Sequence, residues 1–496
     1  MEFNPQDMAQ LEQKGITLDN LLLQLDRFIH QTHPIRLEKP CVPGDGIVIL
    51  TPTECHTYKE KFENEGQLLN LLKFVPASGA ASRMFKHLYD YKPEQISDLT
   101  EEFIIQFERF PFIEELRKNM QDRGLSLDEC ISNNAWGVIF DSILKPEGLH
   151  YDSQLKGMVL FHSYENGMRT AFEEHLHEAI AYGRQADGKS KLHFTIAPQN
   201  LELVQRFLEK KTEEMPYEDF SIKFSVQAEE TDTLALKKDN SPLRNAQGEL
   251  IFRPAGHGAL VHNLQQLDAD IIFIKNIDNV CHAVHRKDSD FYKKIISGLL
   301  LHLKQEVQRH LVALNSDSMV ALENALEFIQ QWFQPGLPLG MDRAGLIQYA
   351  KLRLDRPLRV CGMVRNEGEP GGGPFWVKMA DGHISKQIVE KSQVDLSDIQ
   401  QTKILTGATH FNPVDIVCSI KKSDGTNYNL EDYIDHSTGF VSEKFMEGQV
   451  VKALELPGLW NGSMALWNTV FVEVPVSTFN PVKTVNDLLR PGHQNG

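Results

Sequence analysis

The pattern of apolar and polar residues alternates along the chain between strand-like and helix-like stretches. The runs from Leu71 to Phe74 and from Ile271 to Ile274 are short and apolar, which is typical of parallel strands buried on both faces. Helical spacing from Thr170 to Tyr182 separates strand-like runs at 159–161 and 193–197. This alternation indicates βαβ units, so we predict an α/β fold with a mixed, mostly parallel sheet.

Changes in this pattern divide the chain into four predicted segments. A helical stripe follows a predicted N-cap at Asp19, and helical spacing returns from Phe291 to Phe333. The predicted segments are a helical N-terminal lead-in at 1–72, an α/β core at 73–290 with a helical insert at about 87–150, a second helical insert at 291–356, and the remainder of the core sheet at 357–496. The length of 496 residues also favours two or three structural units over a single core.

Composition excludes one class of partner. The hydrophobic content of 41% is typical of a globular protein, and the formal net charge is -17. A chain this acidic lacks the basic face that polymeric phosphates require, so we predict no nucleic-acid partner. A small phosphorylated substrate needs only local positive charge, which individual lysine and arginine residues supply.

The cysteines and the amino terminus favour a cytoplasmic protein. The six cysteines are scattered, with no CxxC pair and no metal-ligand spacing, so neither a disulfide framework nor a zinc site is indicated. The amino terminus lacks the pattern of a signal peptide, and no run approaches the roughly 18 apolar residues of a membrane span. We expect a cytoplasmic protein with no membrane partner; the sequence does not decide between a monomer and a homo-oligomer.

Two segments next to predicted strands carry candidate chemistry. The loop from Pro76 to Met84 consists mainly of small residues, which let backbone N–H groups approach an anion, and it includes the fixed charge of Arg83. The strand at 271–274 follows a glycine-flanked turn and ends just before Asp278 and Asn279. Ligands of open α/β sheets bind at such an edge. The alternative interpretation of this strand end is a plain Asx turn.

A third segment lies near the carboxyl end, where Lys483 occupies a proline-anchored turn before an apolar run. In this order the three segments resemble the motifs of the sugar nucleotidyltransferases, most closely those of the UDP-sugar pyrophosphorylase branch. The first loop fits the family signature with Ser78, Ala81 and Ser82 in place of two glycines and a threonine. The motif order is also similar to that of uncharacterised bacterial proteins with a domain of unknown function.

The resemblance implies a fold and a reaction. The fold is the Rossmann-like nucleotide-diphospho-sugar transferase fold of GT-A type, with helical inserts in its mostly parallel sheet. The reaction combines a nucleoside triphosphate with a sugar 1-phosphate, releases pyrophosphate and uses Mg²⁺. Such an in-line displacement needs no protein nucleophile, because positioning and charge neutralisation carry the catalysis.

The resemblance also assigns roles to residues. Asp278 would hold Mg²⁺, whereas Arg83, Lys156 and Lys483 would be the catalytic cations that neutralise phosphate charge. Lys86 competes with Lys156 for the role of phosphate lysine. The residues expected to bind the nucleotide are Ala77, Ser78, Gly79, Ala80, Gln227, Gly256, His257 and Gly258, and those expected to bind the sugar are Asn279, Glu390 and Asn412.

Three other functions are compatible with parts of the pattern. A catalytically silent protein that binds a nucleotide or a sugar phosphate would tolerate the filled-in glycines of the first loop. A transferase that moves the sugar of a nucleotide sugar would need a second aspartate after Asp278, where the sequence has Asn279 and Val280. A dinucleotide-binding oxidoreductase would need a G-x-G-x-x-G motif after a strand, which the sequence lacks.

Overall fold

Helices and strands alternate along the chain. The computed structural model describes residues 3–30, 34–316, 318–334, 336, 340–368, 371–379, 382–446 and 449–495. The helices are α1 (Pro5–Lys14), α2 (Leu18–His30), α3 (Pro52–Glu65), α4 (Lys86–Tyr89), α5 (Asp98–Ile105), α6 (Ile113–Asp122), α7 (Leu127–Ser132), α8 (Trp136–Leu144), α9 (Ala171–Gly183), α10 (Leu201–Glu213), α11 (Leu260–Gln265), α12 (Lys287–Ala313), α13 (Met319–Trp332), α14 (Arg343–Leu354) and α15 (Ile399–Thr406). Within these described ranges, no helix combines the length and the apolar character that crossing a membrane requires.

The strands are mostly short. They are β1 (Leu37–Pro40), β2 (Val42–Pro43), β3 (Gly46–Val48), β4 (Leu71–Pro76), β5 (Leu160–Tyr164), β6 (Gly167–Thr170), β7 (Lys189–Thr195), β8 (Asp219–Ser225), β9 (Thr233–Leu236), β10 (Phe252–Arg253), β11 (Ile271–Lys275), β12 (Leu358–Arg365), β13 (Gly373–Lys378), β14 (Ile384–Val389), β15 (His410–Phe411), β16 (Asp415–Ser419), β17 (Phe440–Met446), β18 (Gln449–Glu455) and β19 (Asn468–Glu473). The chain is therefore a mixed α/β protein.

The chain forms two compact units, each assembled from three separate stretches. The first unit contains residues 1–70, 225–273 and 295–474, and the second unit contains residues 71–224, 274–294 and 475–496. The predicted segments are continuous, whereas each unit is discontinuous, because strands that are neighbours in a sheet need not be neighbours in sequence.

In the first unit the main sheet has the strand order β2-β3-β19-β12-β16. β12 is parallel to β19 and β19 is parallel to β3, whereas β12 is antiparallel to β16. The unit also contains two antiparallel sheets with the orders β1-β13-β14 and β10-β9-β18-β17. The segment predicted as a helical lead-in thus also contributes three strands, β1 to β3, which the prediction omits.

In the second unit the strand order is β4-β7-β8, and β4 is parallel to β7. β11 belongs to the first unit as far as Phe273 and to the second unit from Ile274 onwards. β4 and β11 are buried along nearly their whole length, as their apolar runs predict. The run at 159–161 was expected to enter the parallel sheet, and this expectation is wrong. It leads into β5, which pairs with β6 as an antiparallel hairpin. The two-residue turn at Glu165 and Asn166, followed by Gly167 with a φ of 128°, closes this hairpin locally.

The helical insert at about 87–150 packs into the core of the second unit. Phe103, Phe112 and Phe140 of this insert are buried in one cluster with Ala77 and Ala81 of the first loop. Burial of each such phenylalanine contributes about 1.5–3 kcal/mol to stability. The insert therefore anchors the loop that follows β4.

Capping residues mark the positions at which two of the helices begin. Thr170 precedes α9 and forms a capping box with Glu173, in which each side chain accepts the backbone N–H of the other residue. The predicted N-cap of α2 at Asp19 is wrong, because the helix begins at Leu18 and Thr17 Oγ1 accepts the N–H of Asn20 at 3.2 Å. Asp19 lies in the first turn instead, where its negative charge is favourable.

Candidate functional site

The loop at 76–84 is held by the stretch of chain just before Lys156. The backbone N–H of Lys156 donates to the carbonyl oxygen of Gly79 at 3.0 Å. The N–H of Ala81 donates to the carbonyl oxygen of Gln154 at 2.8 Å. Both bonds lie within the second unit, and they place Lys156 beside the loop although the two are far apart in sequence.

The carboxyl-terminal motif contacts both of the other motifs. The N–H of Val485 donates to the carbonyl oxygen of Met84, at the end of the loop, at 2.9 Å. The amide oxygen of Asn279 accepts the N–H of Asn480 at 3.0 Å. The structure thus brings the loop, the strand end after β11 and the carboxyl-terminal motif together in the second unit.

The carboxylate of Asp278 lies beside two ammonium groups. Lys156 Nζ donates to Asp278 Oδ2 at 2.6 Å, and Lys483 Nζ lies 3.6 Å from the same oxygen. The side chain of Lys156 is 14% exposed and that of Lys483 is 49% exposed, so water screens the second pair more strongly. Two ammonium groups and one carboxylate leave a net positive charge, which attracts anions.

Burial and ion pairing oppose each other in this cluster. Burial raises the pKa of Asp278, but Lys156 and Lys483 together lower it by a larger amount. The pKa is therefore below its usual value, and the carboxylate is ionised. Burial lowers the pKa of Lys156, and Asp278 counteracts only part of that change. The charge of the Lys156 ammonium group therefore depends on the carboxylate beside it.

The loop at 76–84 presents backbone donors. Within the part of the chain that the structure describes, the N–H groups of Ser78, Gly79 and Ala80 have no protein acceptor. All three residues are exposed. Successive N–H groups of this kind form anion-binding concavities, so the loop can hold a phosphate group.

The residues that replace glycines of the family signature do not strain the loop. The structure describes all of residues 76–84, and none of them has a φ in the left-handed region. The side chain of Ala81 lies in the core of the second unit, and Ser78 is exposed. A Cβ atom at Gly79 would meet no atom within 4 Å. The added side chains therefore leave the backbone accessible to an anion.

Arg83 and Lys86 follow the loop, and both are exposed. Arg83 ends the 3-10 turn that begins at Ala81, and Lys86 begins α4. The lysine that contacts Asp278 is Lys156. Which of the two lysines binds phosphate stays a prediction.

A buried carboxylate links the two strands that lead to the site. Glu178 of α9 accepts a hydrogen bond from Lys73 of β4 through Oε2 at 2.6 Å and one from Lys275 of β11 through Oε1 at 2.7 Å. All three side chains are buried. Because β4 runs into the loop at 76–84 and β11 runs towards Asp278, Glu178 positions both parts of the site.

Two residues that organise the site are absent from the sequence-based predictions. The sequence does indicate that a residue such as Glu178 is needed. Each of two apolar strands, LLKFVP and IIFIK, contains one lysine, and a buried lysine must find a counter-charge. Asp487 is the second, because its Oδ2 accepts the N–H groups of Lys483 and Thr484 at 2.7 Å each. The spacing from Thr484 to Asp487 is that of a capping box, which is readable from sequence.

A second buried polar cluster in the same unit consists mainly of histidines. His162 Nδ1 lies 3.0 Å from Glu174 Oε1, and His162 Nε2 lies 2.9 Å from His493 Nδ1. The hydroxyl group of Tyr164 donates to the same Glu174 oxygen at 2.7 Å, and its ring stacks on His282 with a centroid distance of 4.2 Å. Burial lowers the pKa of His162 to about 3, so this ring is neutral in the folded protein at neutral pH.

The free energy of unfolding is expected to fall as the pH is lowered from about 6.5 towards about 5. Burial lowers the pKa of His162 to about 3 and those of His177 and His193 to about 4. In the unfolded chain these groups titrate near about 6.5. The unfolded chain therefore binds more protons in this window, and acid favours it. Burial raises the pKa of four carboxyl groups, those of Glu115, Glu174, Asp232 and Asp290, which acts in the opposite direction. It also lowers the pKa of further buried histidines, including His175 and His493, which adds to the effect of acid.

Urea unfolding at about pH 7.5, 6.5 and 5.5 checks this expectation. The matched variant His162→Gln keeps a polar side chain beside Glu174 but cannot titrate, so its stability should fall less steeply with decreasing pH. Equal unfolding midpoints of the natural protein at all three pH values would contradict the interpretation.

The turn at 256–258 belongs to the first unit. The geometry of this turn requires glycine at positions 256 and 258. Gly256 has a φ of 81°, which side-chain-bearing residues rarely adopt. A Cβ atom at Gly258 would lie 2.2 Å from the carbonyl oxygen of Pro457, which is far closer than contact distance. The glycines therefore serve the packing of the turn, whatever they contribute to binding.

His257 is engaged by neighbours within the first unit. Its Nδ1 accepts the N–H of Leu459 at 3.0 Å, and its ring stacks on Trp460 with a centroid distance of 4.3 Å. Burial lowers its pKa, and Glu390 and Glu455 oppose that shift only in part. The imidazole thus orders the turn, and its contact with a nucleotide stays a prediction.

The first unit also contains other residues that are expected to contact the base or the sugar, and they differ in accessibility. Gln227 follows β8 and is half-buried, and Glu390 Oε1 accepts a hydrogen bond from Asn461 Nδ2 at 3.0 Å. Asn412 is buried, and its Oδ1 accepts the N–H of Val414 at 2.9 Å. Their contacts with base and sugar stay predictions.

Asp278 offers a hard oxygen ligand to Mg²⁺. Among the residues that the structure describes, no group of three His, Cys, Asp or Glu side chains forms a metal cage. Mg²⁺ is commonly held by one or two carboxylates together with substrate phosphates. Asp278 therefore fits as a single protein ligand, and it would divide its charge between the ion and Lys156.

Solved structures of two other proteins match the chain. The chain matches the uridine diphosphate N-acetylglucosamine pyrophosphorylase from Trypanosoma brucei, solved with an inhibitor, with a TM-score of 0.51 at 12% identity over 98% of this chain and 78% of that one. The UDP-glucose pyrophosphorylase from Leishmania major matches with a TM-score of 0.46 at 12% identity over 98% of this chain and 77% of that one. At this identity the Trypanosoma match shows the fold alone.

A search of curated protein sequences finds no match. A protein-family model, in contrast, matches residues 4–494, which is nearly the whole chain. The chain therefore belongs to the family described as Domain of unknown function (DUF4301).

Proposed function

We propose that the protein is a Mg²⁺-dependent nucleotidyltransferase that forms a nucleotide sugar and pyrophosphate from a nucleoside triphosphate and a sugar 1-phosphate. The observation that carries the proposal is the cluster of Lys156, Asp278 and Lys483 in the same unit as the backbone donors of the loop at 76–84. Both substrates are anions, and this cluster combines the charges and donors that phosphates require. The fold shared with a UDP-sugar pyrophosphorylase supports the same class of reaction.

In the proposed reaction a phosphate oxygen of the sugar 1-phosphate attacks the α-phosphorus of the nucleoside triphosphate. The bond from that phosphorus to the oxygen that bridges to the β-phosphate breaks, and pyrophosphate leaves with the electron pair. Lys156 and Lys483 bind phosphate oxygens, and Arg83 neutralises the departing pyrophosphate. The chain contributes position and charge and forms no covalent intermediate.

Asp278 has two tasks in this proposal. Its carboxylate keeps the buried Lys156 charged before substrate binds, because the pair is 2.6 Å apart. It also is the residue that would hold Mg²⁺, which supplies further neutralisation of phosphate charge when bound. Loss of this carboxylate would therefore weaken two interactions with the substrates.

We further propose that the fold is that of the Rossmann-like nucleotide-diphospho-sugar transferases of GT-A type, and that the chain belongs to a bacterial branch of that superfamily. In this assignment Gln227 and the turn at 256–258 bind the nucleotide, and Asn279, Glu390 and Asn412 bind the sugar. We also propose that the protein is cytoplasmic.

The test is pyrophosphate release by the purified protein with Mg²⁺ and panels of nucleoside triphosphates and sugar 1-phosphates. We expect release with one pair of substrates and loss of most turnover in Arg83→Ala and in Asp278→Asn, with unchanged circular dichroism. Unchanged turnover in both variants would contradict the assigned site. Saturable nucleotide binding without release from any pair would identify a silent binding protein in place of an enzyme.

A further inference from the structure

A cavity of about 540 Å³ lies within the first unit, and its described lining contains none of the residues assigned above. Leu358, where β12 begins, and Ser419, where β16 ends, both line it. Because these residues are paired in antiparallel strands, the cavity lies at the edge of the sheet opposite to the one where β12 ends at Arg365. Its volume lies in the range of about 300–1,000 Å³ that small-molecule sites occupy.

One ammonium group in this lining has a neutral partner. Lys304 Nζ donates to Ser419 Oγ at 2.8 Å, which is its one hydrogen bond to the residues that the structure describes. Burial lowers the pKa of Lys304, and Asp270 opposes that shift only in part. An ammonium group has three donors, so Lys304 can donate to a further acceptor inside the cavity.

The other lysines of the lining are held in place. Lys421 Nζ lies 2.6 Å from Asp268 and 3.5 Å from Asp270, so its charge is already balanced. Lys422 Nζ lies over the ring of Tyr428 at 5.6 Å from its centroid, which is again a neutral partner. Two lysines with neutral partners therefore line one cavity.

Asp270 acts on Lys304 and Asp424 acts on Lys422 through charge alone. Two further carboxylates of the lining are engaged by other groups. Glu65 pairs with Lys61 at 2.8 Å, and Asp355 accepts the hydroxyl group of Tyr428 at 2.7 Å. The rest of the wall contains polar residues, among them Gln305, Gln308 and Arg356, and an apolar part that includes Leu301 and Leu311. The lining thus combines an apolar body with cationic donors.

We propose that this cavity binds a small organic anion, whose carboxylate or phosphate group contacts Lys304 and Lys422 and whose apolar part packs against Leu301, Leu311 and Tyr428. A charged hydrogen bond to Lys304 in a partly buried site supplies affinity, and the apolar wall selects against free inorganic ions. The site is independent of the proposed nucleotidyltransferase activity.

The proposal is tested with the full chain by calorimetric titration with phenyl phosphate, benzoate and inorganic phosphate. We expect saturable one-site binding of phenyl phosphate or benzoate, and binding of inorganic phosphate at least about tenfold weaker. The stronger of the two organic probes identifies the preferred anionic group. Absence of saturable binding by both organic probes would overturn the proposal.

Three variants, one of them a control, test whether the organic probe binds in this cavity. Lys304→Met should weaken the organic probe about tenfold or more, and Leu311→Trp should weaken it by filling the apolar space. Lys403→Met, at an exposed position on α15, is the matched control and should bind as the natural protein does. Thermal unfolding confirms that each variant is folded. Equal affinity in folded Lys304→Met and in the control would place the bound anion elsewhere and overturn the proposal.

Discussion

Replacing Lys156 with methionine is expected to lower the rate of pyrophosphate release by roughly 10²- to 10³-fold. Methionine keeps the length and most of the apolar stem but removes the ammonium group. Lys156 is the more buried of the two lysines beside Asp278, so its charge acts in a less polar environment than that of Lys483. The measurement is kcat and KM for the substrate pair that the panel identifies, in the natural protein and in the variant.

Lys86→Met is the matched control for this experiment. Lys86 is an exposed lysine on α4, just after the same loop, and its loss should leave the rate within about twofold of that of the natural protein. A folded Lys156→Met variant with an unchanged rate would remove Lys156 from the site. A large loss in Lys86→Met alone would transfer the role of phosphate lysine to Lys86.

Glu178→Gln is expected to lower the free energy of unfolding by about 3–5 kcal/mol. Glutamine has nearly the same shape as glutamate but removes the charge that faces Lys73 at 2.6 Å and Lys275 at 2.7 Å. The two ammonium groups are buried and would lose their shared counter-charge. Urea unfolding near neutral pH measures the loss.

The loss should become smaller as the pH rises. Burial lowers the pKa of Lys73 to about 8, so alkaline solution removes its proton at a modest cost and relieves the uncompensated charge. The control is the triple variant Lys73→Met, Glu178→Leu and Lys275→Met, which replaces the whole cluster with apolar side chains and should recover much of the stability. Equal stability of Glu178→Gln and the natural protein would show that the cluster does not depend on this charge.

The local pattern of apolar and polar residues correctly predicted two strands and one helix next to the candidate site. The runs at 71–74 and 271–274 became β4 and β11, and the helical stripe from Thr170 became α9. These predictions succeeded because a strand buried on both faces needs consecutive apolar residues, and a capping box marks the start of a helix. Both signals are readable within a few residues of sequence.

Short strands with distant partners escaped prediction. β2 and β3 contain two and three residues, and β3 pairs with β19 from the far end of the chain. A strand this short has too few residues to show alternation or a run, and its stability comes from its partner. The strands of the predicted helical lead-in were therefore missed, and the hairpin of β5 and β6 was assigned to the wrong sheet.

For the candidate site, the sequence likewise predicted some features and the structure revealed others. The sequence by itself determined the motif residues, among them the small-residue loop at 76–84, Asp278 and Lys483, because their residue types already specify backbone donors and charge. Only the tertiary structure decided that Lys156 contacts Asp278 and that Glu178 joins β4 to β11. These contacts join segments far apart in sequence, and they depend on strand order and backbone hydrogen bonds that no local periodicity encodes.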